Sequence, residues 1–287
     1  MIVKGSILKQ RREQLGISQG QLAEGIFHQS MVSRVEKRGH ITSMTVLKAL
    51  CVRLHIDISQ IAELTTENHV QLSYVRELVE HMDFVKARKI MESTSFMQEM
   101  EELVLPEYHL LNAICYAGQN ECQKAMHYLH MALSGTMHTQ VGLIIEIFNE
   151  MGGVWMQLGE YDNANDCLER CQKLIASINE IKMEAMKLVI VKVYRRQAEL
   201  DLLRKEYHKA LTGVEAAMNL LPKNNAYYEL VLLQKIRMDC AEALGLLAEQ
   251  REAQLLSYAA GLFSQDQKLE EQTRQYRSEI SIDKKSN

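Results

Sequence analysis

The amino-acid sequence predicts an all-α protein of about two domains, and three observations lead to this fold class. The 287 residues include only 2 Pro and 14 Gly beside 16 Met and many Leu, Glu, Lys, Ala and Gln, which favour helices. So little Gly and Pro argues against a fold of many short strands joined by turns. The length fits about two domains, and 47% apolar with 24% charged residues excludes an intrinsically disordered chain.

The sequence contains no apolar run near the roughly 20 residues of a membrane-spanning helix, and its start lacks the apolar stretch of a signal peptide. We therefore expect a cytoplasmic protein. Its six cysteines lack the spacing of a zinc site or a disulfide framework, so we expect no metal and no other cofactor. The cysteines predicted to be buried thiols are Cys51, Cys115, Cys122, Cys167, Cys171 and Cys240.

Charge is distributed unevenly along the chain. Residues 1–64 contain nine Lys or Arg and five Asp or Glu, a net charge of +4, whereas the remainder carries −8, since the whole chain carries −4. A basic head on an acidic body predicts that only the head meets a polyanion. We place the domain boundary between a head of residues 1–66 and a body of residues 67–287.

Turn and capping residues divide the head into five predicted helices. The first begins at about Lys4, the second covers residues 19–25, the third covers 30–37, the fourth contains Leu47 and the fifth covers 58–64. The residues predicted to stop or cap these helices are, in chain order, Gly16, Ser18, Gly39, Thr42 or Ser43, and Asp57. Each is of a type that is preferred at a helix end.

The second and third helices are short and joined by a tight turn, as in a helix-turn-helix motif that lays its second helix in the major groove of DNA. The strings LKQRREQLGISQGQLAEGI and HQSMVSRVEKRG resemble the Cro and phage-repressor type of this motif, over about the first 64 residues. Gly25 and Phe27 are unusual in the turn of that family. The resemblance implies an ion pair between Arg12 and Glu36 that clamps the first helix to the third.

The predicted DNA contacts follow from side-chain chemistry. Gln19, at the start of the second helix, can hold a phosphate oxygen together with the free backbone N–H groups there. Gln and Arg side chains on the exposed face of the third helix can read adenine or guanine edges with two hydrogen bonds. The residues predicted on this face are Gln29, Ser30, Ser33 and Arg34, and Arg38 is a further predicted DNA contact.

The body repeats a pattern of an aromatic or polar residue followed three positions later by Ala. The anchor alanines are Ala87, Ala125, Ala164, Ala210 and Ala253, separated by 38, 39, 46 and 43 residues. The spacing resembles a lengthened tetratricopeptide repeat, whose usual period is about 34 residues. A small residue at the anchor lets the two helices of a pair lie close together. We therefore predict about five helix pairs stacked into a right-handed superhelix.

Such a superhelix has a concave groove that suits an extended peptide. In the register of the best copy, the residues fifteen, eleven and eight positions before each anchor face this groove. The predicted peptide-binding residues are Asn149, Met156, Arg195, Glu199, Leu202 and Ile114. Asn149 can pair with a peptide backbone and Arg195 can hold a carboxylate, so we expect a largely apolar guest with a polar or acidic end. The alternative that the helices serve only dimerisation remains open.

A Cro-like head joined to such a body resembles the Rgg, PlcR and PrgX type of peptide-pheromone receptor. The resemblance implies a homodimeric transcriptional regulator that binds paired DNA half-sites and a short signalling peptide in quorum sensing. The alternative is a prophage-type repressor or an interaction scaffold whose groove binds a protein partner. An enzyme is not expected, because the sequence has no nucleophile elbow, phosphate loop or HExxH motif, and the histidines at 109, 127 and 208 are interpreted as surface or packing residues.

Overall fold

A computed structural model of the chain describes residues 3–26, 28–39, 41, 44–56, 61, 67–93, 104–221 and 226–277. The regular elements of these residues are helices, which confirms the predicted all-α class. The head contains α1 Gly5–Gln14, α2 Gln19–Ala23, α3 Gln29–Arg38 and α4 Met44–Leu54. Most of the predicted fifth helix and its cap Asp57 lie outside the described residues, as do Thr42 and Ser43.

The ends of the head helices follow the sequence signals closely. Ser18 accepts a hydrogen bond from the Gln21 backbone N–H while the Gln21 side chain accepts one from the Ser18 N–H, a complete capping box. Gly16 and Gly39 adopt left-handed φ values of 67° and 61°. α2 ends two residues earlier than predicted, because the chain turns at Gly25 with φ 70°.

The described residues of the body form five helix pairs. They are α5 Glu67–Glu80 with α6 Phe84–Met91, α7 Leu105–Ala117 with α8 Cys122–Gly135, α9 Val141–Gln157 with α10 Tyr161–Ala176, α12 Lys187–Leu203 with α13 Tyr207–Leu220, and α14 Tyr227–Leu244 with α15 Leu247–Phe263. Two shorter helices, α11 Glu180–Ala185 and α16 Gln267–Thr273, stand outside the pairs. α11 lies between the third and fourth pairs and accounts for the longest spacing between anchors.

All five pairs are joined by the same turn. A residue one to three positions after the first helix is left-handed, with φ between 57° and 78°, and the next backbone N–H donates to a carbonyl five residues back at 2.8 to 2.9 Å. This pattern is the Schellman motif, which satisfies the last carbonyls of a helix. The left-handed residues are Met82, Asn120, Gly159, Lys205 and Gly245.

The anchor alanines are buried as predicted, each with 0% of its surface exposed. Four of them lie five residues after the left-handed residue of their pair, but Ala253 lies eight residues after Gly245. The groove register predicted for the fifth pair was therefore wrong by three residues. Counted from the left-handed residue of each pair, the residue of the fifth pair that is equivalent to Asn149 and Arg195 is Lys235.

The chain divides into two compact units, Met1–Ile144 and Ile145–Asn287. In the first unit, buried apolar residues such as Leu8, Leu22 and Val32 form the head core, and Met137, from the loop between α8 and α9, packs against that core. The boundary predicted at 66/67 lies where residues 62–66 are outside the described chain, so it stays a prediction. None of the described helices is both long enough and apolar enough to cross a bilayer.

Candidate nucleic-acid interface and groove residues

A buried ion pair clamps the first and third helices of the head. Arg12 donates to both carboxylate oxygens of Glu36, with Nε to Oε1 at 2.6 Å and Nη2 to Oε2 at 3.1 Å, which confirms the pair implied by the resemblance. Burial alone would raise the pKa of Glu36, but hydrogen bonds from Arg12 and Gln19 outweigh it and hold that pKa below its ordinary value. The clamp therefore stays ionised at neutral pH and fixes α3 on the head core.

Gln19 belongs to this clamp. Its Nε2 donates to Glu36 Oε2 at 2.8 Å, so the amide faces inward instead of toward a phosphate. The predicted phosphate contact at Gln19 remains a prediction and now depends on its backbone N–H. This bond could not be predicted from a local pattern, since the two residues lie 17 positions apart on different helices.

The outer side of α3 carries the other predicted DNA contacts. Gln29, Ser30, Arg34 and Arg38 are exposed and Ser33 is half-buried, while Val32, Val35 and Glu36 of the same helix are buried. Arg34 Nε lies 3.4 Å from the Ser30 carbonyl oxygen, a long and exposed contact. The face thus presents two hydrogen-bonding side chains, Gln29 and Arg34, that suit base edges in a major groove.

Asn149, on α9, is almost completely buried. Only 2% of its surface is exposed, and its Nδ2 donates to Glu150 Oε1 at 3.1 Å. Its Oδ1 is buried and accepts no hydrogen bond from the described residues. A buried acceptor without a partner costs about 1 to 3 kcal/mol, and a ligand N–H reaching it would return that free energy.

Arg195, on α12, is held by carboxylates of its own chain. Its Nε donates to Glu229 Oε2 at 2.7 Å, and its Nη1 donates to Glu199. Burial alone would lower the pKa of Arg195, but Glu199 and Glu229 raise it above its ordinary value. We predicted that this guanidinium binds a carboxylate of the peptide. In this structure it binds two carboxylates of its own chain, Glu199 on α12 and Glu229 on α14.

Arg196 extends the network toward α9. It donates to Glu150 Oε2 at 3.1 Å and to Glu199 Oε2 at 3.4 Å. A Cβ on Gly153 would lie 2.7 Å from Arg196 Cζ, so the glycine at this position makes room for the guanidinium. Glu150, Arg196 and Glu229 were not predicted, because their positions lie outside the three-residue groove register.

The remaining predicted groove residues are half-buried. Glu199 joins the network just described, and Met156 lies on α9 one turn beyond Gly153. Leu202 packs against the core formed by α12, α13 and α14. In the first unit, Ile114 packs against the core of the first two pairs.

The cysteines carry no sign of nucleophilic chemistry. The six cysteines form no disulfide, and Cys51, Cys115, Cys171 and Cys240 are buried. Burial raises the pKa of Cys115 and of Cys171 to about 12, so both are protonated thiols at neutral pH. Cys122 and Cys167, also predicted to be buried, are half-buried.

Comparison with known proteins gives the fold of the whole chain. Residues 8–61 match the helix-turn-helix family. Bacillus thuringiensis PlcR, solved in complex with the peptide PapR7 and DNA, is 18% identical and aligns over 97% of this chain and 98% of its own, with a TM-score of 0.62. The chain shares the fold of PlcR. The predicted resemblance is confirmed at this level, and the likeness extends through both head and body.

Two other solved structures align over a similar length. The SHP pheromone receptor Rgg2 of Streptococcus dysgalactiae is 17% identical over 96% of this chain and 99% of its own, with a TM-score of 0.45. The apo form of the competence regulator ComR from Streptococcus vestibularis is 13% identical over 97% and 98%, with a TM-score of 0.48. No curated protein matches the chain by sequence.

Proposed function

We propose that the chain is a DNA-binding transcriptional regulator whose repeat body binds a short signalling peptide and so switches gene expression. The observation that carries the proposal is the likeness to PlcR over nearly the full length of both chains, since that protein was solved with a peptide and DNA. The chemistry of both surfaces agrees with binding and not with catalysis. We place its action in the cytoplasm, where the DNA is.

The head supplies the DNA-binding half of the proposal. Its clamp fixes α3, and α3 turns Gln29 and Arg34 outward. A head of this kind reads one half-site, and paired half-sites require two heads. We therefore propose a homodimer, which sedimentation of the full chain at micromolar concentration tests.

The body supplies the peptide-binding half. Asn149 Oδ1 is a buried acceptor on the predicted groove side of α9, and its Nδ2 is already used by Glu150. A peptide would therefore meet Asn149 through a backbone N–H. Because Arg195 and Arg196 both hold carboxylates of this chain, a carboxylate of the guest would have to displace one of them, and the expectation of an acidic end loses its support.

The DNA half is tested by selecting duplexes from a random-sequence library with the wild-type chain. Arg34→Ala and Gln29→Ala should each weaken binding of the selected duplex by about 1 to 3 kcal/mol, with unchanged far-ultraviolet circular dichroism. Arg34→Lys keeps the charge but loses the two-pronged hydrogen-bonding geometry, so it should resemble Arg34→Ala. Unchanged binding in all three variants would refute the assignment of α3.

The peptide half is tested by titrating a fluorescent library of short peptides into the full chain. A receptor binds one of them saturably, and Asn149→Ala should weaken that binding about 5- to 150-fold. Asn165→Ala is the matched control, because within the described residues Asn165 donates to Glu169 in an exposed contact on α10. If no peptide binds saturably, the groove binds a protein partner. If Asn149→Ala and Asn165→Ala both bind the peptide as wild type does, the side of α9 predicted to face the groove is wrong.

A further inference from the structure

The turn between α2 and α3 contacts an arginine of α4, outside the two helices that the turn joins. α2 has only five residues, which is too short to be stable by its own hydrogen bonds. A helix leaves its last four carbonyls without intrahelical partners, and buried or half-buried ones need another donor. The partners of these four carbonyls therefore decide how α2 ends and where α3 begins.

Two of the four carbonyls are satisfied by the turn itself. The Gly20 carbonyl accepts from the Glu24 N–H at 3.0 Å, and the Ala23 carbonyl accepts from the Ile26 N–H at 2.9 Å. The carbonyls of Gln21 and Leu22 remain. Neither accepts a backbone hydrogen bond within the described residues.

Arg53, near the end of α4, supplies the missing donor. Its Nη1 lies 3.0 Å from the Leu22 oxygen, 3.3 Å from the Gln21 oxygen and 2.5 Å from the Glu24 oxygen. A positive charge at this end of α2 also faces the negative pole of the helix. One guanidinium nitrogen, whose two N–H groups are shared among three acceptors, thus contacts both open carbonyls of α2 and the first residue of the turn. The contact with Leu22 is half-buried, and the other two are exposed.

We propose that Arg53 is a positioning residue that fixes the α2–α3 turn and thereby the orientation of α3 on DNA. The turn needs such an anchor, because Gly25 at φ 70° places little steric restriction on the backbone. α3 begins at Gln29, only four residues further on, so a change in the turn changes how Gln29 and Arg34 meet the bases. This inference rests on the DNA binding proposed above.

The alternative is that Arg53 contributes to DNA binding through its charge. Each phosphate contact adds close to one unit to the slope of log affinity against log salt concentration, whatever the DNA sequence. A positioning residue leaves that slope unchanged and lowers the preference for the selected duplex over random DNA. Salt slope and sequence preference therefore separate the two roles.

The experiment compares full-length wild type, Arg53→Ala, Arg53→Gln and Arg38→Ala on the selected duplex and on a random-sequence duplex. Arg53→Ala should lose about tenfold or more of its preference for the selected duplex with an unchanged salt slope on the random one. Arg38→Ala, which removes a predicted backbone or base contact, should lower that slope by about one. Arg53→Gln keeps a donor without the charge and should retain most of the preference.

Amide hydrogen exchange of the same proteins tests the anchor without DNA. The amides of Glu24 and Ile26 should exchange about tenfold faster in Arg53→Ala and near the wild-type rate in Arg53→Gln. Unchanged amide exchange in Arg53→Ala would overturn the proposal. So would a salt slope that falls by about one in both Arg53 variants together with equal losses of affinity for the two duplexes. If wild type binds no DNA, the proposed function fails, while exchange at Glu24 and Ile26 still decides whether the anchor exists.

Discussion

The head and the second unit each bury an arginine between helices, but the two arginines reach their partners differently. Arg12 pairs with Glu36, 24 residues away, inside a motif of fixed spacing. Arg195 pairs with Glu229, 34 residues away on another repeat, and with Glu199 one turn along its own helix. The first pair follows from a recognisable motif, whereas the second depends on the register between two repeats. An arginine on a predicted binding face can therefore be part of the scaffold.

The largest effects are expected when Arg12 and Arg195 are each replaced by alanine. Arg195→Ala leaves Glu229, 8% exposed, without its counter-charge, and should destabilise the second unit by about 3 to 5 kcal/mol. Trp155, the chain's single tryptophan, lies in α9 of that unit, so urea unfolding followed by its fluorescence measures the loss. Arg12→Ala should instead speed amide exchange in α1 and α3 and leave the Trp155 transition in place.

Lys173→Ala is the control for the second unit. Lys173 forms a surface pair with Glu169 at 3.7 Å and is 77% exposed, so its removal should change stability by less than about 1 kcal/mol. If Arg195→Ala is as mild as this control, the buried network does not hold the repeats together. Arg195 would then be available to a ligand, as the sequence suggested.

Acid should weaken the second unit through Glu199. Burial alone would raise the pKa of Glu199, but Arg195 and Arg196 outweigh it and lower that pKa. A carboxylate with a lowered folded pKa stabilises above its unfolded pKa, about 4.3, and loses that contribution as the pH falls through the folded value. The stability gap between wild type and Glu199→Gln, followed at Trp155, should therefore be full at pH 7 and close below about pH 4. A gap that stays constant over this range would mean that Glu199 titrates normally.

The smallest effect concerns the turns shared by all five pairs. Lys205 adopts φ 63°, a left-handed conformation that costs a side chain about 0.5 to 1 kcal/mol relative to Gly. Lys205→Gly should therefore stabilise the second unit by about that amount, whereas Gly159→Ala, at φ 78°, should destabilise it similarly. If both substitutions change the stability of the second unit by the same amount in the same direction, the turns at Lys205 and Gly159 are not equivalent.

These residues also mark what the sequence could predict. The capping box at Ser18, the glycine stops and the five anchor alanines follow from local patterns, and the Arg12 clamp was implied by the family resemblance; the structure has them all. That Asn149 faces a groove stays a prediction, and its burial beside Glu150 depends on packing between helices that no local pattern gives. The register of the fifth pair failed because Ala253 was aligned by residue type, and the true reference is the left-handed turn at Gly245. The Arg53 anchor joins α4 to α2 across 32 residues or fewer, beyond any local pattern.

The proposed function requires that peptide binding to the body and DNA binding to the head are coupled within one chain. The most direct measurement is the affinity of the full chain for its selected duplex, with and without a saturating amount of the peptide selected from the library. We expect the peptide to change this affinity about 5- to 150-fold and the duplex to change the affinity for the peptide by the same factor. Saturable peptide binding that leaves the affinity for the duplex unchanged would contradict it.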